Sequence, residues 1–284
     1  MKRDLEVVEY TSGNTSKGLI NSLRLMGKDI KKSRELSYRL AKRDISAMYR
    51  QSLLGYLWVF LIPLVNTATW LFLKGSGIVV MQDTGVPYVI YVFSGTVMWQ
   101  VFVESLQSPI QQVASSKALL AKLNFPREAI ILAGVYKNLF NTLIKLIILL
   151  PIIFVFGGEP SWHIVLFPFV LLSIVLVGTT IGLLFAPIGS LYTDIGRVIP
   201  YAGQFLMFFA PVVFVLPSGG AYLSLFEANF MTPLIITGRD MLTNGAFEWL
   251  GYFFAVVAIS SLMLIVALGI FRKTMPILIE RMSA

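Results

Sequence analysis

Polar residues dominate the first 50 positions, and beyond them apolar residues come in long unbroken runs separated by short polar stretches. A bilayer core about 30 Å thick takes roughly 20 mostly apolar residues per helix. Runs of that length, bounded by charges, glycines or prolines, predict six spanning helices: Leu54 to Leu73, Tyr88 to Leu106, Ala129 to Phe156, His163 to Ile188, Val198 to Leu216 and Trp249 to Phe271. Helices follow rather than barrel strands, which alternate apolar and polar residues over about 10 positions. The pattern divides the chain into a polar N-terminal segment (1–53), a membrane domain (54–271) and a short tail (272–284). The fold class expected is all-α integral membrane.

The polar stretches carry their own periodicity. In residues 34–50 (RELSYRLAKRDISAMYR), Leu36, Leu40 and Ala47 share one side at helical spacing, while Arg39, Lys42, Arg43 and Arg50 fall within an arc of about 100°. A basic arc beside an apolar face predicts a helix lying in the membrane interface. A short amphipathic helix is expected from Gln111 to Leu123, ended by Asn124-Phe125-Pro126. Residues 217–247 are apolar but cut by Pro217, Gly219, Gly220, Pro233 and Gly238, so neither piece is long enough to span. They read as a re-entrant pair of short helices.

Composition narrows the function. Hydrophobic residues make up 56% of the 284 positions and charged residues only 13%, about half the charge of an ordinary soluble domain. A compact water-soluble enzyme is excluded. The net charge of +8 would suit a nucleic-acid binder, but its distribution points elsewhere. Nineteen of the 23 Lys and Arg lie in residues 1–53, the loops after spans two and four, and the tail; only Lys74 and Arg239 lie in the opposite loops. By the positive-inside rule both termini are cytosolic, and the charge is a topology signal. With no apolar stretch near the N-terminus, a cleaved signal peptide is not expected. There is no cysteine and one histidine, His163, which argues against thiolate or multi-histidine metal centres. No GxxxxGK[ST], HExxH or GxSxG occurs, so neither P-loop ATP binding nor those hydrolytic chemistries are expected.

Two sets of residues inside the spans are candidates for contact with cargo. Lys137, Asn141 and Lys145 recur at i, i+4, i+8 in the third span. Charges at that depth face protein or water: Lys145 either touches an anionic substrate or pairs with a neighbouring helix, and Lys137 either does the former or snorkels to the headgroups. Aromatics at 13% include the i, i+4 pairs Tyr56 with Phe60 and Phe205 with Phe209. Rings suit the apolar faces of sugars and tolerate sliding, which fits a long polymer.

The chain resembles the membrane subunit of polysaccharide-exporting ABC transporters, the Wzm/TagG-like permeases for O-antigen and teichoic acid. The similarity lies in YRQSLLGYLW (Tyr49 to Trp58), SGTVMWQVF in the second span, KLNFPRE (Lys122 to Glu128), LYTDIGRV (Leu191 to Val198) and FMTPLIITGRDML before the last span. Thr193-Asp194 stands where the family commonly has Arg-Asp, and Thr232-Pro233 where it has Asn-Pro. The resemblance implies a homodimer with six helices per protomer and no cofactor in this chain. A separate nucleotide-binding ATPase, in two copies, would hold ATP and Mg. The cargo implied is a lipid-linked glycan (O-antigen, teichoic acid or capsule-like) crossing the cytoplasmic membrane of a bacterium, with membrane lipids around the channel. Candidate channel-lining residues are Tyr56, Phe60, Tyr91, Trp99, Phe102, Phe205, Phe209 and Lys145. Candidates for recruiting the lipid pyrophosphate are Arg39, Arg43, Arg50 and Arg127, whose guanidinium groups can hold phosphate in bidentate fashion; the alternative is that they only enforce topology. Gln111, Lys117, Lys122, Asp194 and Arg197 are the candidate ATPase-docking residues. The runner-up readings are a type-2 ABC exporter for drugs or lipids, and a membrane enzyme that modifies glycans or lipids.

Overall fold

A computed structural model describes residues 19–50, 53–79, 83–122, 125–216, 219–220, 223–243 and 245–283. The described residues form helices joined by turns: α1 (Leu19–Arg50), α2 (Leu57–Gly75), α3 (Tyr88–Ser115), α4 (Lys117–Lys122), α5 (Glu128–Val155), α6 (Phe167–Leu191) with a 3₁₀ turn (Trp162–Leu166) leading into it, α7 (Thr193–Leu206), α8 (Leu223–Ala228), α9 (Met231–Thr243) and α10 (Leu250–Ser283). Among them five helical stretches are long and apolar enough to cross a membrane: α2, α3, α5, Trp162–Leu191, and α10 as far as Leu278.

Helix α3 is the centre. Its apolar window is 78% buried against 17% for α2 and for α10. Small residues let it seat on α6: a Cβ added at Gly182 would lie 2.1 Å from the Leu106 carbonyl oxygen, and one at Gly178 would lie 2.6 Å from the Ser105 Cβ. Gly178 and Gly182 thus form a small-xxx-small contact, the arrangement that brings membrane helices together where lipid offers no hydrophobic drive. Pro109 sits within α3 and its ring lies beside Gly182, so α3 continues past the end expected near Leu106. Gln111 therefore belongs to α3, and the short helix expected from Gln111 reduces to α4, beyond a break at Ser116.

The run expected as a span from Val198 to Leu216 is not one helix. α7 ends at Leu206, a 3₁₀ turn covers Met207–Phe209, and Ala210 is extended (φ −126°, ψ 151°). Pro211 accounts for the break, because a proline ring excludes the preceding residue from the helical region. The segment beyond does contain a pair of short helices, α8 and α9, and α9 is buried along most of its length.

α1 begins well before the Arg34 start expected for the interface helix, and its buried stripe differs from the Leu36, Leu40, Ala47 face. Met26, Ser33, Ser37, Leu40 and Ala41 are buried, whereas Ala47 is exposed. The serine hydroxyls are satisfied within the helix, Ser33 donating to the Asp29 carbonyl (2.6 Å) and Ser37 to the Ser33 carbonyl (2.7 Å). With their polar groups internally bonded, the small side chains let α1 lie close on α5, where Leu40 and Ala41 meet Ala133 and Tyr136. α10 runs straight through the tail, past Pro276.

Candidate functional site

Gln100, Glu104, Gln107 and Gln111 follow one another on α3 at intervals of four, three and four residues, which places them on one face. α5 crosses that face with Asn138, Asn141 and Lys145, spaced three and four apart and all buried. The α5 stripe thus includes Asn138 rather than Lys137, which is half-buried. The Lys145 ammonium bonds the Glu104 carboxylate at 2.5 Å, with Lys145 2% and Glu104 40% exposed. Asn138 donates to the Glu104 backbone carbonyl (3.4 Å), and Gln111 to the Gln107 side-chain oxygen (3.0 Å). Of the two roles open to Lys145, pairing with a neighbouring helix is the one formed.

The pair borders a cavity of about 160 Å³ lined by Val59 and Ile62 of α2, Gln100, Val103 and Glu104 of α3, and Lys145 of α5. Gln100 Nε2 and Glu104 Oε2, on two of the lining residues, are themselves buried and without a hydrogen-bond partner. Unpaired buried polar groups are costly, so these two atoms mark a locally unsatisfied patch beside the cavity. The space is far above the ~15 Å³ that a water needs. Ionisable residues at membrane depth are rare and usually face protein or a water-filled cavity, which makes this pair a candidate for function.

The aromatic residues expected along the channel separate into two groups. Tyr56, Phe205 and Phe209 are exposed and Phe60 half-buried. Tyr56 meets Phe140 of α5 edge-on (6.0 Å), and the Phe205 and Phe209 rings lie 5.3 Å apart at the expected i, i+4 spacing. Tyr91, Trp99 and Phe102 are instead inside the helix bundle, at 7%, 5% and 2% exposure. They join helices within the chain. Trp99 Nε1 donates to the Gly203 carbonyl of α7 (3.0 Å), and Phe102 packs against Trp99 and Phe230.

Tyr91 belongs to a second buried polar cluster, which closes the broken end of α7. Arg239 of α9 donates to the carbonyls of Pro211 and Val212 and to that of Tyr91 (3.1 Å), with its guanidinium 3.5 Å over the Tyr91 ring. The Tyr91 hydroxyl donates to the Phe214 carbonyl (2.9 Å) and the Tyr88 hydroxyl to the Val213 carbonyl (3.4 Å). Carbonyls 211 to 214, freed when the helix breaks, thus each receive a side-chain donor, as buried backbone requires. Sequence reasoning left Arg239 as a loop cation. The sequence signal is an adjacent charge pair, Arg239-Asp240, within an otherwise uncharged apolar run.

At the end of the bundle where α1, α4 and the start of α5 meet, the expected recruiting and docking residues are spread out. Arg39 pairs with Glu35 (2.6 Å) and Arg43 with Asp44 (2.8 Å) on the exposed side of α1. Arg50 is exposed at its end, and half-buried Arg127 precedes α5. Lys117 donates to the Ser190 carbonyl (2.8 Å), capping α6 where the helix dipole favours a cation. Asp194 and Arg197 are exposed and 4.0 Å apart on the first turn of α7. Gln111 is exposed, and the Lys122 side chain lies outside the described residues. A contact that sequence reasoning missed ties this end together: Arg272 of α10 bonds Asp29 of α1 (2.7 Å) and lies 3.4 Å from Glu128 of α5.

Residues 35–243 match the family model of the ABC-2 type transporter. A curated relative from Myxococcus xanthus, "O-antigen export system permease protein RfbA", is 28% identical over 183 residues, covering 64% of this chain and 69% of that protein. Two proteins of the same name from Klebsiella pneumoniae are 22% identical over 241 and 242 residues, each covering 82% of this chain and 90% of its own length. The expected resemblance to polysaccharide-export permeases is borne out at the level of family. With the match spanning most of the chain and the helices arranged as described, the protein belongs to the ABC-2 type transporter family of membrane permeases.

Proposed function

We propose that the chain is the membrane-spanning subunit of an ATP-driven exporter that carries a lipid-linked polysaccharide across the cytoplasmic membrane of a bacterium. The observation that carries this reading is the set of polar side chains held inside an apolar bundle, Lys145, Glu104, Gln100, Asn138 and Asn141, around a cavity; such residues mark a route for polar cargo. The printed names of the relatives supply the class of cargo. ATP hydrolysis belongs to a separate nucleotide-binding subunit, docked where Gln111, Asp194 and Arg197 are exposed. That end faces the cytosol, in keeping with its cations. Two copies of the chain form the channel. α7 with its broken end serves as a sixth crossing, and α8 with α9 as the re-entrant pair at the outer face, where non-helical backbone is tolerated because protein buries it. Tyr56, Phe60, Phe205 and Phe209 are the exposed or half-buried aromatics proposed to line the path, and Arg39, Arg43, Arg50 and Arg127 the cations proposed to recruit the lipid pyrophosphate, Arg39 and Arg43 by exchanging their exposed carboxylate partners.

Deleting the gene tests this reading. Lipid-linked glycan accumulates inside the cell and disappears from its surface, both restored by the chain, and the purified protein brings down a Walker-containing ATPase. Normal surface glycan in the deletion strain overturns the reading. Loss of a lipid or of drug resistance instead would assign the chain to the other exporter classes.

A further inference from the structure

We infer that the outward side of α1 is a binding surface for the anionic phospholipid headgroups of the cytosolic leaflet; this goes beyond the export reading and is independent of the cargo. Met26, Ser33, Ser37, Leu40 and Ala41 bury one side of the helix. On the opposite side the exposed Arg39, Lys42, Arg43 and Arg50 are joined by Lys28, Lys31 and Lys32, also exposed, because α1 begins well before Arg34. At 100° per residue all seven fall within an arc of about 120°. From Lys28 to Arg50 the strip is about 33 Å long at the helical rise. Two carboxylates meet it: Glu35 pairs with Arg39, and half-buried Asp44 with Arg43. Among the described residues the other five cations form no ion pair. Like charges a turn apart, such as Lys28 and Lys32, repel, so the bare strip works against its own helix. A single pyrophosphate takes one or two guanidinium forks and leaves most of this length unanswered. Four of the seven are lysines, point charges without a planar fork, which suit a diffuse anionic layer. The level is right for such a layer. Leu40 and Ala41 pack on Ala133 and Tyr136, within the first three turns of α5, where that helix enters the bilayer. Tyr38 and Met48 stand 61% and 44% exposed on the flank of the strip, and a basic face flanked by apolar side chains is what anionic headgroups hold in the interface. Lipid charge therefore keeps α1 seated on α5.

The chain contains no cysteine, and Ser46 is exposed at the middle of the strip's arc, so a bimane on Ser46→Cys reports what lies against it. The full-length permease is placed in nanodiscs of phosphatidylglycerol and phosphatidylcholine in fixed ratio, with a nitroxide at a shallow acyl carbon of one lipid or the other in equal amount. The inference expects severalfold stronger quenching by the labelled phosphatidylglycerol. That preference disappears in high salt, which screens exposed charge, and in Lys28→Gln/Lys31→Gln/Lys32→Gln/Lys42→Gln. The unfolding temperature of the wild type rises with the phosphatidylglycerol fraction, and that of the fourfold variant stays level. Equal quenching by the two lipids overturns the inference, as does a preference that the variant or high salt leaves unchanged. Quenching by neither lipid places the strip in water or under a protein partner and overturns it as well. Should the variant fail to fold, the salt series on the wild type still decides. Neither glycan nor ATP enters the quenching, so a failure of this inference is told apart from a failure of the export reading.

Discussion

Gly182 is the position where the packing of the bundle can be tested most sharply. An added Cβ would sit 2.1 Å from the Leu106 carbonyl oxygen, 2.9 Å from its carbon and 3.1 Å from Pro109 Cδ. Ordinary contact begins near 3.4 Å, so Gly182→Ala must open the α3–α6 contact by roughly 1.3 Å. The obstacle is backbone of a helix anchored on both sides, so no rotamer change relieves it. Overpacking of this kind costs about 1–3 kcal/mol, and separation also weakens the neighbouring Gly178 contact. Two other glycines serve as references. At Gly238 the nearest atoms are side-chain ones, Met98 Sδ at 2.6 Å and Val170 Cγ1 at 3.1 Å, and the thioether can adjust where backbone cannot; Gly238→Ala should cost about 1 kcal/mol, the low end for overpacking. Gly269 has nothing within 4 Å, and alanine there gains up to ~1 kcal/mol of helix propensity. Thermal unfolding of the purified permease in lipid nanodiscs should rank the variants Gly269→Ala, Gly238→Ala, Gly182→Ala from most to least stable, with a gap of several degrees before the last. A Gly182→Ala protein as stable as Gly269→Ala would refute the packing argument.

Three further outcomes follow from the polar contacts. Lys145→Met leaves the Glu104 carboxylate unpaired, a loss of up to ~3–5 kcal/mol for a fully buried pair and less here because Glu104 is 40% exposed; the double variant Lys145→Met/Glu104→Gln should recover most of the unfolding temperature, and failure to recover would show that the pair is not the interaction lost. Arg239→Met strips donors from three backbone carbonyls at about 1–3 kcal/mol for each left unsatisfied, and Arg239→Lys should restore only part because an ammonium lacks the planar fork; proteolysis of the segment 207–216 reads both. Arg39→Gln and Arg43→Gln break exposed ion pairs worth under about 1 kcal/mol, so unfolding should barely change, while stimulation of the partner ATPase by lipid-linked substrate falls if these cations recruit pyrophosphate and stays level if they serve topology alone.

The parts legible in the sequence are those that depend on run length. α2, α5 and α6 lie within a few residues of the expected spans, and α3 and α10 begin where expected. What run length misses is local stereochemistry and facing. Ala210-Pro211 stops a helix that hydropathy alone would continue. Ser33 and Ser37 look like polar interruptions of α1, yet each satisfies its own hydroxyl and packs as a small residue. Tyr91, Trp99 and Phe102 could not be told from Tyr56 or Phe205 by composition, because an apolar helix in a membrane shows little contrast between its lipid and protein sides. The site is half legible: Lys145 stands out as a charge in an apolar run, whereas nothing local in the sequence singles out Gln100 and Glu104, whose setting depends on α5 packing across α3. Arg239 and Arg272 depend on partners 148 and 243 residues away in the chain, a separation that no local pattern reports.

The most direct test is reconstitution. The permease and its ATPase are placed together in proteoliposomes whose inner and outer leaflets can be sampled separately, with lipid-linked glycan loaded on the ATPase side. A lectin probe confined to the opposite side reports arrival. The account predicts ATP-dependent appearance of glycan on that side, lost when Gln100 is replaced by leucine and Glu104 by glutamine, with Lys145→Met alongside so that no buried charge is left unpaired. Steady ATP hydrolysis with no glycan reaching the far leaflet, or glycan movement indifferent to those side chains, would contradict it.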